Sequence, residues 1–350
     1  MKGLETFVDW FSGIGGFRIG AENNGLKCVA SCDHDKHARQ TYAKNFGHEP
    51  EFSDARDVVA SEVPDHDLFT GGFPCQSFST AGKKLGFQDS RGTLFFEICR
   101  VLEAKHPNYF LLENVKGLLQ APMLDESHKP IPETAGWVFY RMLESLGHLG
   151  YSVQWQVLDC RHWVAQHRER VYIIGNSGAV PVPQVFPLFD ASREMARSQG
   201  GPRNIGSVNK NRVQGSRVYD TGAPSLTLDT GRCTPLVETP WRSEPLGNLY
   251  QSKRYSHPYQ GGRVYGPGNI APTLDTSKNT LLDTGTGIRV LTPLERERLM
   301  GFPEGWTEGV SDEQRYRQTG NAVCTKVTSE VLYRLVQCHA NGGDRPEEEA

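Results

Sequence analysis

Thr6-Phe7-Val8-Asp9 followed by Phe11-Ser12-Gly13-Ile14-Gly15-Gly16 reads as a short apolar strand running into a glycine turn that opens a helix. An open α/β sheet begins in this way, because glycines permit the tight turn and let the backbone approach a ligand closely. The helix is expected to end near Asn24-Gly25, and Lys27 to Cys32 reads as a second strand. Asp33 then stands 20 residues beyond Gly13, where an acid after the second strand can hold ribose hydroxyls. Strand, turn, helix and acid together favour a nucleoside cofactor over a plain tight turn.

The same alternation continues outward. Asp67-Leu68-Phe69-Thr70 and Tyr109-Phe110-Leu111-Leu112 read as the third and fourth strands. Between them Leu94, Phe95, Ile98, Val101 and Leu102 recur at helical spacing, and Trp137 to Leu146 repeats that pattern. Val153 to Leu158 and Arg170 to Ile174 complete the strands. Strands alternating with helices imply an α/β fold with an open, mostly parallel sheet. The texture changes after Gly175: residues 176–285 are rich in Gly, Pro, Ser, Thr and Asn, with short β-prone pieces. Within them Arg217-Val218-Tyr219, leading to Pro224-Ser225-Leu226-Thr227-Leu228-Asp229-Thr230, is echoed by Arg263-Val264-Tyr265, leading to Pro272-Thr273-Leu274-Asp275-Thr276. Two copies are too few for a solenoid; they look like paired hairpin edges of a small, loop-rich β domain. Helical pattern returns at Pro293 to Met300 and at Thr325 to Val336.

Composition narrows the class. The 350 residues are 37% hydrophobic and 23% charged, ordinary for a globular chain with room for one large or two moderate domains. No apolar run approaches the roughly 18 to 20 residues of a membrane span, and the N-terminus lacks a secretory pattern, so the expected location is the cytoplasm, with no membrane partner. The eight cysteines are scattered without a CxxC pair, which predicts reduced thiols and no metal site. The net charge is −3, yet residues 176–289 carry 13 Lys and Arg against 8 Asp and Glu. Such asymmetry suggests that this section faces an anionic partner.

Gly71-Gly72-Phe73-Pro74-Cys75-Gln76-Ser77-Phe78-Ser79 follows the third strand. A cysteine at the C-terminal end of a parallel strand lies where open α/β sheets bind ligands, and the preceding proline restrains the loop that presents it. Cys75 therefore reads as a nucleophile. Leu112-Glu113-Asn114-Val115 brings a carboxyl to the same rim. In Gln166-His167-Arg168-Glu169-Arg170, alternation puts Gln166, Arg168 and Arg170 on one face if the segment is extended. Taken alone, either of these last two motifs is more often a salt-bridged sheet edge than a catalytic part.

The ordered run FSGIGG, GGFPCQSFS, LLENVKG, QHRERVYIIG, RVLTPLERERLMGFP and QTGNAV resembles the cytosine-5 DNA methyltransferase family of restriction-modification systems. The likeness spans nearly all of the chain outside residues 176–285. It implies a Rossmann-like catalytic domain of residues 1–180 completed by 317–350, its last helix packed back on the first motif. A smaller target-recognition domain of residues 181–316 would be inserted between them. It also implies S-adenosyl-L-methionine as cofactor and double-stranded DNA as partner. Cys75 would attack C6 of a flipped-out cytosine, and Glu113 would contact N3 and the amino group. Arg170, with Arg168 alongside, would orient Glu113 and the base. Residues implied to touch the cofactor are Phe11, Ile14, Gly16, Asp33, Asp54, Pro74, Leu94 and Asn321, with His34 near the adenine. Asp33 is shorter than the glutamate common in the family, and His34 stands where a bulkier aromatic is usual; both would weaken cofactor binding. The segment from Ser79 to Thr93 resembles the loop that closes over DNA. A tRNA cytosine methyltransferase shares the chemistry, but such relatives usually lack so long and basic a variable segment. A non-catalytic nucleic-acid-binding regulator would not need Cys75, Glu113 and Arg170 together. The expected protein is a monomer with a possible cognate endonuclease, and its target sequence cannot be read from residues 176–285.

Overall fold

The computed structural model describes residues 3–74, 94–188 apart from 126 and 128, and 288–345, with residues 271, 273, 274, 276 and short strands between 204 and 283. Six strands form the main sheet: β1 (Thr6–Trp10), β2 (Lys27–Cys32), β3 (Leu68–Gly72), β4 (Tyr109–Val115), β5 (Tyr151–Asp159) and β6 (Glu169–Ser177). Their order is β2-β1-β3-β4-β6-β5. The first four run parallel, and β6 is antiparallel to both β4 and β5. The chain leaves β1 for β2 on one side and returns to β3 on the other. The C-terminal ends of β1 and β3 therefore flank a topological switch point, where open sheets leave a crevice.

Alternation along each strand sends side chains to two cores. On β4, Phe110 and Leu112 join one cluster with Phe95, Ile98 and Leu102 of α3 (Leu94–Lys105) and Val138, Met142 and Leu146 of α4 (Trp137–His148). Tyr109 and Leu111 face the other, with Phe17 and Ala21 of α1 (Gly16–Glu22). Each such side chain contributes about 1.5–3 kcal/mol on burial. Residues near the far end of the chain complete this second layer. Helix α2 (Lys36–Phe46) follows β2, and beyond α4 the next described helices are α5 (Pro293–Leu299), α6 (Asp312–Asn321) and α7 (Thr325–Ala340). Val327, Val331 and Leu335 of α7 share the core with α1. Trp306 Nε1 donates to the Ile14 carbonyl at 2.9 Å. Thr328 Oγ1 donates to the Gly16 carbonyl at 3.2 Å.

Two glycines make that approach possible. A Cβ on Gly16 would stand 2.6 Å from Val323 Cγ2, and one on Gly20 would stand 2.6 Å from Thr328 Oγ1 and 3.0 Å from Ser329 N. At Gly20 the obstacle includes backbone, so the clash exceeds the helix-propensity gain of about 1 kcal/mol. Gly20→Ala is expected to destabilise the fold by about 1–2 kcal/mol net in urea or thermal unfolding. An unchanged midpoint would show that α1 and α7 have slack.

In the variable segment the two echoed triplets are both strands, β8 (Arg217–Tyr219) and β11 (Arg263–Tyr265). β8 lies between β7 (Asn204–Ser207), antiparallel, and β9 (Leu236–Val237), parallel. β11 lies likewise between β10 (Gly247–Asn248), antiparallel, and β12 (Leu281–Asp283), parallel. β13 (Ile288–Val290) closes that sheet beside β12. The expectation of hairpin edges is thus corrected: each triplet is an inner strand, and its downstream partner runs parallel because a long crossover separates the two. Among the described residues no helix is long and apolar enough to cross a membrane, and no cluster of His, Cys, Asp or Glu is arranged to hold a metal.

Candidate active site

A cavity of about 400 Å³ opens at the switch point. The glycine turn forms one wall. Phe11 takes φ 56°, and Gly13 and Gly15 take φ 54° and 87°; for Phe11 that left-handed backbone costs about 1–3 kcal/mol. The turn is fastened by Asp33, whose Oδ2 accepts from Gly13 N at 2.7 Å and whose Oδ1 accepts from Asp35 N at 2.8 Å. Burial pushes the Asp33 carboxyl up, and those two backbone bonds oppose the shift. Ser12 Oγ is buried in the same wall without a hydrogen-bond partner among the described residues.

Beneath the turn lies Asp9, fully buried on β1. Its Oδ1 accepts from Thr70 Oγ1 at 3.0 Å, while Oδ2 has no hydrogen-bond partner among the described residues. Burial raises this carboxyl to about 7, the Thr70 bond opposing. A carboxyl raised in the folded state stabilises the fold below its unfolded value, and that contribution is lost as pH rises through the folded one. Relative to Asp9→Asn, the native protein should therefore lose stability between the usual 3.8 and about 7. The slope approaches about 1 kcal/mol per pH unit and flattens above that window. Parallel melting curves of the two proteins across this range check it; a constant difference would refute the assignment.

The opposite wall carries a buried ion pair. Glu113, near the end of β4, is 8% exposed, and Arg170 Nε on the neighbouring β6 lies 3.1 Å from its Oε1. Burial raises the Glu113 carboxyl, while the guanidiniums of Arg170 and Arg168 oppose the shift. Arg168 is itself buried, with Nη2 donating to the Ala322 carbonyl at 2.8 Å and Nη1 to the Leu274 carbonyl at 3.3 Å. Burial brings its guanidinium down to about 10, still charged at neutral pH. Between the two walls, Asn114 Nδ2 holds the Phe73 carbonyl at 2.9 Å, immediately before Pro74.

The cavity gathers most of the residues singled out by sequence. Phe11, Ile14, Gly16, Asp33, His34, Pro74 and Asn321 line it, together with Glu113, Arg168 and Arg170. Asp54 and Leu94 are not among the lining residues. Asp54 is engaged by Arg56, with Nε and Nη2 donating to its two oxygens at 2.9 and 2.5 Å, and that pairing holds its carboxyl down to about 2. Leu94 is the first residue of α3. Cys75 and the loop from Ser79 to Thr93 lie outside the described residues. Asn114, Gln318 and Arg317 were not singled out by sequence. Asn114 is the residue after Glu113, and Gln318, which fastens α6 to α2 by accepting from Thr41 Oγ1 at 3.0 Å, opens the QTGNAV run. The quoted motifs thus contained the signal for both.

A sheet of this order, with an acid-fastened glycine turn and a buried Glu–Arg pair in one crevice, defines a Rossmann-like methyltransferase. The chain belongs to the C-5 cytosine-specific DNA methylase family, whose model matches residues 5–337. It is 36% identical over 321 residues to the Type II methyltransferase M.NgoBI of Neisseria gonorrhoeae, covering 91% of this chain and 89% of that protein. Identity to M.BsuFI of Bacillus subtilis is 34%, covering 93% of this chain and 71% of the relative, and to M.HhaI of Haemophilus parahaemolyticus 30%, covering 94% and 93%. The fold is similar to a solved putative DNA modification methyltransferase encoded within an E. coli prophage, at a TM-score of 0.60 and 20% identity, covering 96% of this chain and 99% of that one. A Spodoptera frugiperda DNMT2 variant gives a TM-score of 0.59 at 17% identity, covering 95% and 99%.

Proposed function

We propose that this protein transfers a methyl group from S-adenosyl-L-methionine to C5 of a cytosine in duplex DNA, through a covalent adduct on Cys75. The observation that carries the reading is the single crevice joining the Asp33-fastened turn to the Glu113–Arg170 pair, with Pro74 on its wall. The cavity volume lies within the range of small-molecule sites. Buried Ser12 Oγ offers a polar atom that no described residue uses, and the Asp33 oxygens retain lone pairs for sugar hydroxyls. These features fit the cofactor, which would be held by Phe11, Ile14, Gly16, Asp33, His34, Pro74 and Asn321. Asp54 and Leu94 remain proposed contacts from the family likeness alone. When bound, the cofactor supplies an activated methyl group.

The chain's own residues do the rest. Cytosine C6 and C5 are hidden in the stack, so the base must be flipped out at a cost of a few kcal/mol. The Cys75 thiolate adds to C6 and makes C5 nucleophilic. Glu113 holds N3 and the amino group as charge builds on the ring, and Arg170 keeps its carboxyl aimed. Loss of the C5 proton then expels Cys75. Residues 1–180 with 317–350 form the proposed catalytic domain. The proposed recognition domain is 181–316, although Phe302 and Trp306 also pack on the large domain's core. A monomer acting beside a cognate endonuclease completes the reading.

DNA carrying 5-fluorocytosine at the target should become attached to Cys75 in the presence of cofactor, because fluorine cannot leave C5 as a proton does. Peptide mapping after denaturation identifies the attachment site. Exclusive trapping of fluorinated tRNA would change the substrate, and attachment at another cysteine would change the nucleophile.

A further inference from the structure

Ala271, Thr273 and Leu274, in the downstream part of the second echo, lie against the loop that carries Arg168. Gln166 and Ala271 form a parallel bridge. Ala271 N donates to the Ala165 carbonyl at 2.9 Å, His167 N to the Ala271 carbonyl at 2.7 Å, and Thr273 Oγ1 to the His167 carbonyl at 2.8 Å. Arg168 extends the seam with its side chain, reaching the Leu274 carbonyl with one nitrogen and the Ala322 carbonyl, beside Asn321, with another. One buried guanidinium thus touches the variable segment and the last cofactor block. It also acts electrostatically on Glu113.

The Arg168 loop is itself held by Asp159, at the end of β5 and 3% exposed. Asp159 Oδ1 accepts from Arg168 N at 2.9 Å and Arg161 N at 3.2 Å. Its Oδ2 lies 2.6 Å from His167 Nδ1 and 3.2 Å from Arg161 Nε. A carboxylate used in this way fixes both the ring orientation of His167 and the backbone of the next residue.

We propose that Asp159 and His167 are a positioning pair: they shape the backbone of residues 166–168 so that Ala271, Thr273 and Leu274 dock on it, coupling the DNA-reading segment to Arg168 and Glu113. The inference rests on the reading of residues 181–316 as the part that contacts DNA. The Asp159 bond raises the His167 imidazole, burial opposing, with Glu169 favouring and Arg161 disfavouring its charge. Ala271, Thr273 and Leu274 bring no charge to it, and Asp275 lies outside the described residues. A histidine raised in this way carries its proton, and a charge-assisted bond, below its folded value. As pH rises through that value the bond weakens and the seam should loosen.

Hydrogen exchange without nucleic acid reads the seam directly. In His167→Ala, exchange of the peptide spanning residues 271–274 should speed up by about tenfold, with the peptides of β1 and α1 unchanged. In methylation assays its KM for DNA should rise by about tenfold while kcat at saturating DNA changes less than about twofold. Cofactor affinity by calorimetry should stay the same. His167→Asn, which can place an amide nitrogen near the Nδ1 position, should restore both exchange and KM. The native KM should climb as pH rises through the His167 transition, whereas that of His167→Asn should stay flat. Unaltered exchange in His167→Ala, or a parallel loss of kcat, DNA affinity and cofactor affinity, would overturn the proposal. The exchange arm needs no reaction: a failure there leaves methyl transfer standing, and an inactive native enzyme with the expected exchange pattern would instead overturn the reading of the activity.

Discussion

Cys75→Ser is expected to lower methyl transfer to DNA by more than about a thousandfold, the order found when a catalytic nucleophile is removed, while cofactor binding and melting temperature stay unchanged. A thiol near pKa 8.5 is a few per cent thiolate at neutral pH and strongly nucleophilic once ionised; a serine hydroxyl ionises far less and differs little in volume. The chain enters residue 75 directly from Pro74 on the cavity wall, and Asn114 fixes the carbonyl of Phe73 just before it. The path up to residue 75 therefore does not depend on the sulfur. Transfer of labelled methyl groups to DNA, with calorimetry of the cofactor in parallel, measures both quantities. Substantial residual turnover with an intact fold would remove Cys75 from the mechanism.

Glu113→Gln should lower kcat by about 10²- to 10⁴-fold, the usual range for a group that handles a proton in the transition state, and change DNA affinity only slightly. The amide keeps the shape and one acceptor oxygen, but it loses the charge that Arg170 faces at 3.1 Å and the proton it would share with the base. Breaking a buried ion pair on one side destabilises a fold by about 3–5 kcal/mol. Part of this is spared because the glutamine oxygen still turns its partial negative charge toward Arg170. Single-turnover rates at saturating DNA and cofactor, well below the variant's melting temperature, separate chemistry from folding. If DNA affinity collapsed and the single-turnover rate held, Glu113 would be a structural residue.

The strands of the main sheet were legible because each is a short apolar run beside glycine or a polar break, and their positions in the structure agree within a few residues. Two helices were not. α2 buries only Ala38, Thr41 and Tyr42, and α6 buries Tyr316, Gln318, Thr319 and Gly320. Neither carries the apolar stripe by which a helix is recognised, since each touches the core through polar bonds such as Thr41 to Gln318. The side chains lining the crevice sat within motifs whose order was plain, so most of them could be named in advance. Partners were harder. Nothing in the sequence says that Arg56 will take both oxygens of Asp54, or that Arg168 will spend its nitrogens on carbonyls 106 and 154 residues away. A backbone acceptor has no side-chain signature.

The contact between α1 and α7 also sets a timetable. Gly16 and Thr328, which share a hydrogen bond, are 312 residues apart. Closing so wide a loop is entropically slow to nucleate, and long-range pairings of this kind delay folding. On the ribosome, β1, α1 and the glycine turn emerge well before α7. They must then wait, with the α1 side of the sheet uncovered, until the whole variable segment and α7 have been made. A nascent chain stopped before Asn321 would have the glycine turn of the crevice without the Asn321 that closes its lining. The polypeptide therefore completes the crevice only after the variable segment has been synthesised; on the proposed reading, a truncated product is born without the means to modify DNA at the wrong place.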